Sequence, residues 1–124
     1  MIIEIDFNSE EAIYVQLRNQ IVLGIATEEL QMGESLPSVR QMANYLGVNM
    51  HTVNKAYGIL RQEGYLTLDR RKGAVVSVSA QEKRRELEEI QAMLRMTVAQ
   101  AICKGVTEEE VLQLVDNLYH EMNR

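Results

Sequence analysis

Residues 36–65, LPSVRQMANYLGVNMHTVNKAYGILRQEGY, constrain this chain more than any other stretch. Pro37 and Ser38, with Gln41 three residues on, form a capping-box signal for a helix start. Val39, Met42, Ala43 and Leu46 supply that helix with a buried stripe, and Gly47 ends it. Asn49 caps a second helix, in which Val53, Ala56, Tyr57 and Leu60 make the apolar face, and Gly64 closes it. Two short helices joined at a glycine turn predict a helix-turn-helix.

On a wheel of about 100° per residue, His51, Lys55, Gly58 and Gln62 fall nearly opposite the apolar face, with Thr52 and Asn54 on its flanks. An ordinary surface helix carries Glu–Lys pairs there. This one has no acid until Glu63, at its far end. Asn, Thr and Lys have the donors and acceptors that read base edges, and missing carboxylates avoid repulsion by phosphates. Arg40, in the first turn of the preceding helix, is placed to reach a phosphate. Its competing use is a salt bridge to Glu34.

The formal charge of the 124 residues is −5, which alone argues against a nucleic-acid partner. Between Ser35 and Gly73, however, six cations face two anions, a local +4 that leaves −9 for the rest. A cationic face on an acidic body still binds phosphates. The apolar fraction of 46% suffices for a core, and no apolar run approaches the roughly 18 residues of a membrane span. The acidic N-terminus does not read as a signal peptide, and one cysteine excludes an internal disulfide framework, so the expected compartment is the cytoplasm.

Ile3, Ile5 and Phe7 alternate as in a short strand or extended arm. Ser9, followed by Glu10 and Glu11, reads as a helix start, and Tyr14, Leu17, Ile21 and Ile25 carry that helix to about Glu28, before Gly33. Residues 65–68 and 75–78 read as two strands, joined by the basic link Asp69 to Ala74. At Ser79 the character changes. From Glu82 a long helix presents Leu87, Ile90, Leu94, Val98 and Ile102. Gly105 ends it, and Thr107 with Glu110 caps another that presents Val111, Val115, Leu118 and Met122. The expected fold is mainly α with a small β-hairpin: a winged helix-turn-helix over residues 1–78, then a two-helix hairpin over 79–124. These nine apolar residues are the expected dimerisation surface, since a lone hairpin would leave them bare.

In order along the chain, Ile13-Tyr14, Gln16-Leu17, Gly33, Leu36-Pro37-Ser38-Val39-Arg40, Ala43, Leu46, Gly47-Val48-Asn49, Thr52-Val53, Ala56-Tyr57, Leu60, Glu63-Gly64-Tyr65 and Gly73 resemble the DNA-binding domain of the GntR family of bacterial transcription regulators. The resemblance spans roughly residues 12–78. It implies a winged helix that binds a near-palindromic operator as a dimer, with Arg40 on phosphate. Asn49, His51, Thr52 and Asn54 fall at recognition-helix positions, and the wing tip enters the minor groove. The DNA-contacting set is therefore Ser38, Arg40, Asn49, His51, Thr52, Asn54, Lys55, Arg70, Arg71, Lys72 and Gly73. Ala12 replaces a common proline, Arg71 the first of two wing glycines, and Met50 an arginine found in some members. The base contacts of those members do not carry over to Arg71 or Met50. The 45 or so residues after the wing are too few for the large effector domains of most members. They resemble the short YtrA-type branch, which implies a tail that serves as a dimer interface and a role in regulating transporter operons, with repression the expected sense.

Other readings compete. Cys103 and His120 lack the third group of a nucleophilic site, so Cys103 reads as a buried structural thiol. His51, Cys103 and His120 match no zinc spacing, and neither a metal nor a cofactor is expected. Met93, Met96 and Met122 suit packing in a dimer core, with a small-molecule effector pocket as the alternative. Lys83-Arg84-Arg85 reads as a solvated helix start. The rival function is a winged-helix protein-docking module, which would show aromatics on the outer face of the third helix. No catalytic constellation points to an enzyme.

Overall fold

Local capping rules set most helix ends in the computed structural model, which describes residues 2–78 and 83–123. The elements run α1 (Ile13–Ala26), α2 (Val39–Leu46), α3 (Met50–Gln62), β1 (Leu66–Asp69), β2 (Gly73–Val76), α4 (Lys83–Cys103) and α5 (Glu108–Met122). Ser38 Oγ accepts from Gln41 N at 3.1 Å, and Ser38 N donates to Gln41 Oε1 at 3.0 Å, which completes the capping box of α2. Thr107 and Glu110 repeat it at α5. Gly47 takes φ 70°, the left-handed region that glycine enters without penalty, and Val48 N then closes α2 on Ala43 O at 3.0 Å. Tyr65 N closes α3 on Leu60 O at 2.8 Å. The expected change of character at Ser79 and helix start at Glu82 lie outside the described residues.

The start of α1 differs from expectation. Ser9 does not cap it; Ser9 Oγ accepts from Glu11 N at 3.0 Å within a turn, and Ala12 stands at the N-cap. The cause is Gln16, a buried polar side chain. Its Nε2 donates to Asp6 O at 3.0 Å and Glu11 O at 2.9 Å, and its Oε1 accepts from Asp6 N at 2.9 Å. One turn on, Gln20 Oε1 accepts from Glu4 N at 2.9 Å, and Gln20 Nε2 donates to the Glu4 carbonyl. Four helical residues rise about 6 Å and two extended residues span about 6.6 Å, so two amides one turn apart match alternate peptides of an arm. The segment before α1 is thus an extended arm clamped to the helix, with Ile3 buried and Phe7 exposed. Gln16→Leu strands one amide and two carbonyls; it is expected to cost about 1–3 kcal/mol, read by thermal unfolding, and to speed amide exchange at Asp6.

α3 is the centre of the core of this unit. Its Val53, Ala56, Tyr57 and Leu60 are buried against Leu17 and Ile21 of α1, Met42 and Ala43 of α2, and Leu66, Ala74 and Val76 of the hairpin. β1 and β2 pair antiparallel with Leu66 opposite Val76 and Asp69 opposite Gly73. The hairpin is therefore shifted from the expected 65–68 and 75–78, and its loop shrinks to Arg70, Arg71 and Lys72. The outer edge of β2 is also taken. Leu36 N donates to Ala74 O at 2.8 Å, Val76 N to Glu34 O at 2.9 Å and Gly33 N to Val76 O at 2.8 Å. The segment leading into α2 thus anchors the wing.

The chain divides into two units, residues 1–79 and 80–124. In the second, Val106 N closes α4 on Ala101 O at 2.9 Å before α5 begins. α4 and α5 share no extended packing face, and neither contains a buried residue. Cys103, expected to be buried, is exposed for this reason. No helix among the described residues is long and apolar enough to cross a membrane.

Candidate nucleic-acid interface

The turn at Gly47 and the bond from Tyr57 Oη to Pro37 O, 2.8 Å, fix the start of α2 to the middle of α3. Burial pushes the Tyr57 phenol up, so it stays a protonated donor at neutral pH. On this frame His51 and Asn54 are exposed and Thr52 is half-buried on α3. Asn49 Oδ1 accepts from His51 N at 2.7 Å, and Ser38 caps α2, so both polar side chains set the helix ends from which their neighbours project. Lys55 is placed otherwise than the wheel implies. Its ammonium sits 4.0 Å from the ring centroid of Tyr14 on α1, held by the electron-rich ring face.

Arg40 is exposed and forms no ion pair among the described residues. The competing bridge to Glu34 is not made, because that carboxylate turns back to accept from Gln31 N at 3.0 Å. At the wing, Asp69 Oδ1 accepts from Arg71 N at 2.7 Å and Lys72 N at 3.1 Å. These two bonds, helped by the Lys72 ammonium, hold its carboxyl below the usual carboxylate range, so the tip stays tied throughout neutral pH. Gly73, at φ 75°, returns the chain into β2. Arg70, Arg71, Lys72 and Gly73 are all exposed.

The acids are arranged to leave this face cationic. α2 and α3 have none in their first turns, whereas α5 has Glu108, Glu109 and Glu110. An acid there contributes about 0.3–1 kcal/mol through the helix dipole, so the three helices of this unit, α1 included, forgo a stabilisation that α4 and α5 take. Glu63, the one acid near the end of α3, is bound at 2.9 Å by Arg18 of α1. Sequence reasoning gave no site role to Arg61, which borders a cleft between α3 and the wing. Its spacing from Asn54 and Gly58, seven and three residues, was the available signal.

The tail residues stand bare: Leu87, Ile90, Leu94, Val98, Ile102, Val115 and Leu118 are exposed, and Val111 and Met122 half-buried. Met93 and Met96 are exposed as well. His120 Nδ1 lies 2.8 Å from Asp116 O on its own helix, far in sequence from His51. Among the described residues no His, Cys, Asp and Glu group is placed to hold a metal ion.

Comparison with known proteins agrees with this geometry. Residues 9–76 match the family model "Bacterial regulatory proteins, gntR family". An uncharacterised HTH-type transcriptional regulator of Bacillus subtilis, YhcF, is 31% identical over 86% of this chain and 89% of its own. The HTH-type transcriptional repressor YtrA of the same organism is 36% identical over 63% of this chain and 60% of its own. Among solved structures, YtrA from Sulfolobus acidocaldarius, a GntR-family transcription factor, superposes with a TM-score of 0.69 at 39% identity, covering 83% of this chain and 99% of that one. The DNA-binding domain of AraR in complex with operator ORE1 matches 60% of this chain and 93% of its own, at 25% identity and a TM-score of 0.50.

Proposed function

Since the chain belongs to the GntR family of bacterial regulatory proteins, and to its short YtrA-like branch, we propose that it binds a near-palindromic operator as a homodimer and represses transcription from it. One observation carries the reading: the capped, acid-free outer face of α3 shares a cationic surface with an exposed, pre-tied wing. α3 enters a major groove, Thr52 and Asn54 meet base edges, Arg40 holds a phosphate and the wing reaches the neighbouring minor groove. Two copies, joined through α4 and α5, address half-sites one helical turn or a multiple apart. Repression is supported by the relative of that name, a transporter operon by the resemblance to its branch, and the cytoplasm by the DNA partner. α3 shows no exposed aromatic, which favours this reading over the protein-docking alternative.

A footprint on the DNA upstream of the gene, repeated over a salt series, tests the reading. A protected, two-fold-related pair of sites that fades with salt is expected, and no protection even at low salt defeats it. Variants separate the roles. Arg40→Ala should weaken binding to operator and scrambled duplex alike. Thr52→Ala and Asn54→Ala should each cost about 1–3 kcal/mol at particular base pairs only. Deleting the gene should raise transcripts of the operon beside it, and a neighbouring transporter would identify that operon.

A further inference from the structure

Gly58 lies in mid-α3, and its own chain gives no reason for it. A Cβ there would meet nothing within 4 Å, and its φ is not in the left-handed region. Glycine is nonetheless among the poorest helix formers, since it surrenders the most backbone freedom. The gain that retains it lies outside the free molecule.

Gly58 borders a cleft of about 90 Å³ between α3 and the wing. Asn54, Gly58 and Arg61 line it from one face of α3, and Thr67 and Leu68 from β1. Arg61 is exposed and makes no ion pair among the described residues, while Glu63 beside it is occupied by Arg18. Leu68 is 63% exposed, so an apolar group at the mouth of the cleft awaits a partner. Small-molecule sites run to roughly 300–1,000 Å³, which makes an effector a poor fit here.

In a duplex, one sugar–phosphate strand separates each major groove from the adjacent minor groove. A helix in the first and a wing in the second straddle that strand, so it crosses the space between them. We infer that this cleft seats the dividing strand. Gly58 is the point of closest approach, Arg61 holds a phosphate, and Leu68 packs against a deoxyribose. Arg61 suits the task because its planar fork pairs with phosphate oxygens. The inference rests on the operator reading above and adds residues that reading does not use.

Duplexes enriched from a random-sequence library by the full wild-type chain provide the probe, with Kd read by anisotropy across a salt series. Gly58→Ala should melt a few degrees higher, as a better helix former, yet bind roughly 5–10-fold more weakly. Arg61→Ala should weaken enriched and scrambled duplexes equally and lower the slope of log K against log salt by about 1.8, one phosphate for each subunit of the dimer. Arg61→Lys should restore the slope. A Gly58→Ala protein that binds with the wild-type Kd leaves the cleft to another occupant, a solute or a protein loop, and overturns the assignment. Unchanged or lower melting of that variant does so too, since the glycine would then serve the fold, as does an unaltered slope for Arg61→Ala. A wild-type chain that enriches no duplex and binds none at low salt defeats the operator reading itself, whatever the variants do.

Discussion

Replacing Leu94 and Val98 together by glutamate is expected to turn the protein into a monomer and weaken operator binding by about 10²–10⁴-fold. In the single chain neither α4 nor α5 buries a residue, and the two do not cover one another. Leu87, Ile90, Leu94, Val98 and Ile102 form one stripe along α4, with exposures from 38% to 72%. Fully burying one such side chain is worth about 1.5–3 kcal/mol, so a second copy laid on this stripe has ample driving force. A glutamate at two central positions places four carboxylates in a dimer seam, where desolvation without a partner outweighs the remaining contacts. Each freed monomer then meets its half-site alone and loses the effective concentration that its twin supplied. The winged-helix unit has its own core around α3 and should keep its fold, so half-site binding at low salt should survive. Sedimentation and circular dichroism separate the two effects. A double variant that sediments as a dimer and binds as tightly as the parent places the seam elsewhere.

The sequence was legible wherever the deciding interaction is short-range. Ser38 with Gln41, Thr107 with Glu110 and the glycines at 47 and 64 fix helix ends through atoms at most six residues apart. The stripe Val53, Ala56, Tyr57, Leu60 follows from helical period alone. What escaped reading is non-local. Gln16 and Gln20 look like ordinary helix polar residues until an arm folds back across them, and that competition displaced the start of α1 from Ser9. The segment around Ser35 reads as loop, yet it pairs with β2 because the wing needs a neighbour on its far edge. The hairpin shift is the local exception: the Asp69 carboxylate caps two amides of the link, two and three residues on, which shortens the loop to three residues. For the candidate site, composition and periodicity find the α3 face and the basic tip. They give no hint that Tyr14 holds Lys55 or that Arg18 neutralises Glu63.

The wing offers the second large effect. Changing Arg70, Arg71 and Lys72 together to alanine removes three cations from each of two subunits, so it should lower the salt slope of log K by about 5.4 and operator affinity by about 10⁴-fold near 0.15 M salt, if each cation neutralises one phosphate. The fold of the tip should persist, because Asp69 holds it through the backbone amides of residues 71 and 72, which alanine keeps. The change therefore removes charge without removing shape, which no substitution at Asp69 or Gly73 does. Sequence dependence adds a second readout. A narrow, A-tract minor groove concentrates negative potential, so the loss should be larger for duplexes with A·T-rich flanks than for G·C-rich ones. Arg71 stands at a position where glycine is common in the family, so restoring Arg71 alone in the triple-alanine background separates a side chain in the groove from a backbone that merely passes it. Recovery of the A·T preference with that single cation would give Arg71 a groove-reading role. Recovery of about one-third of the slope without the preference would make it one phosphate contact among three.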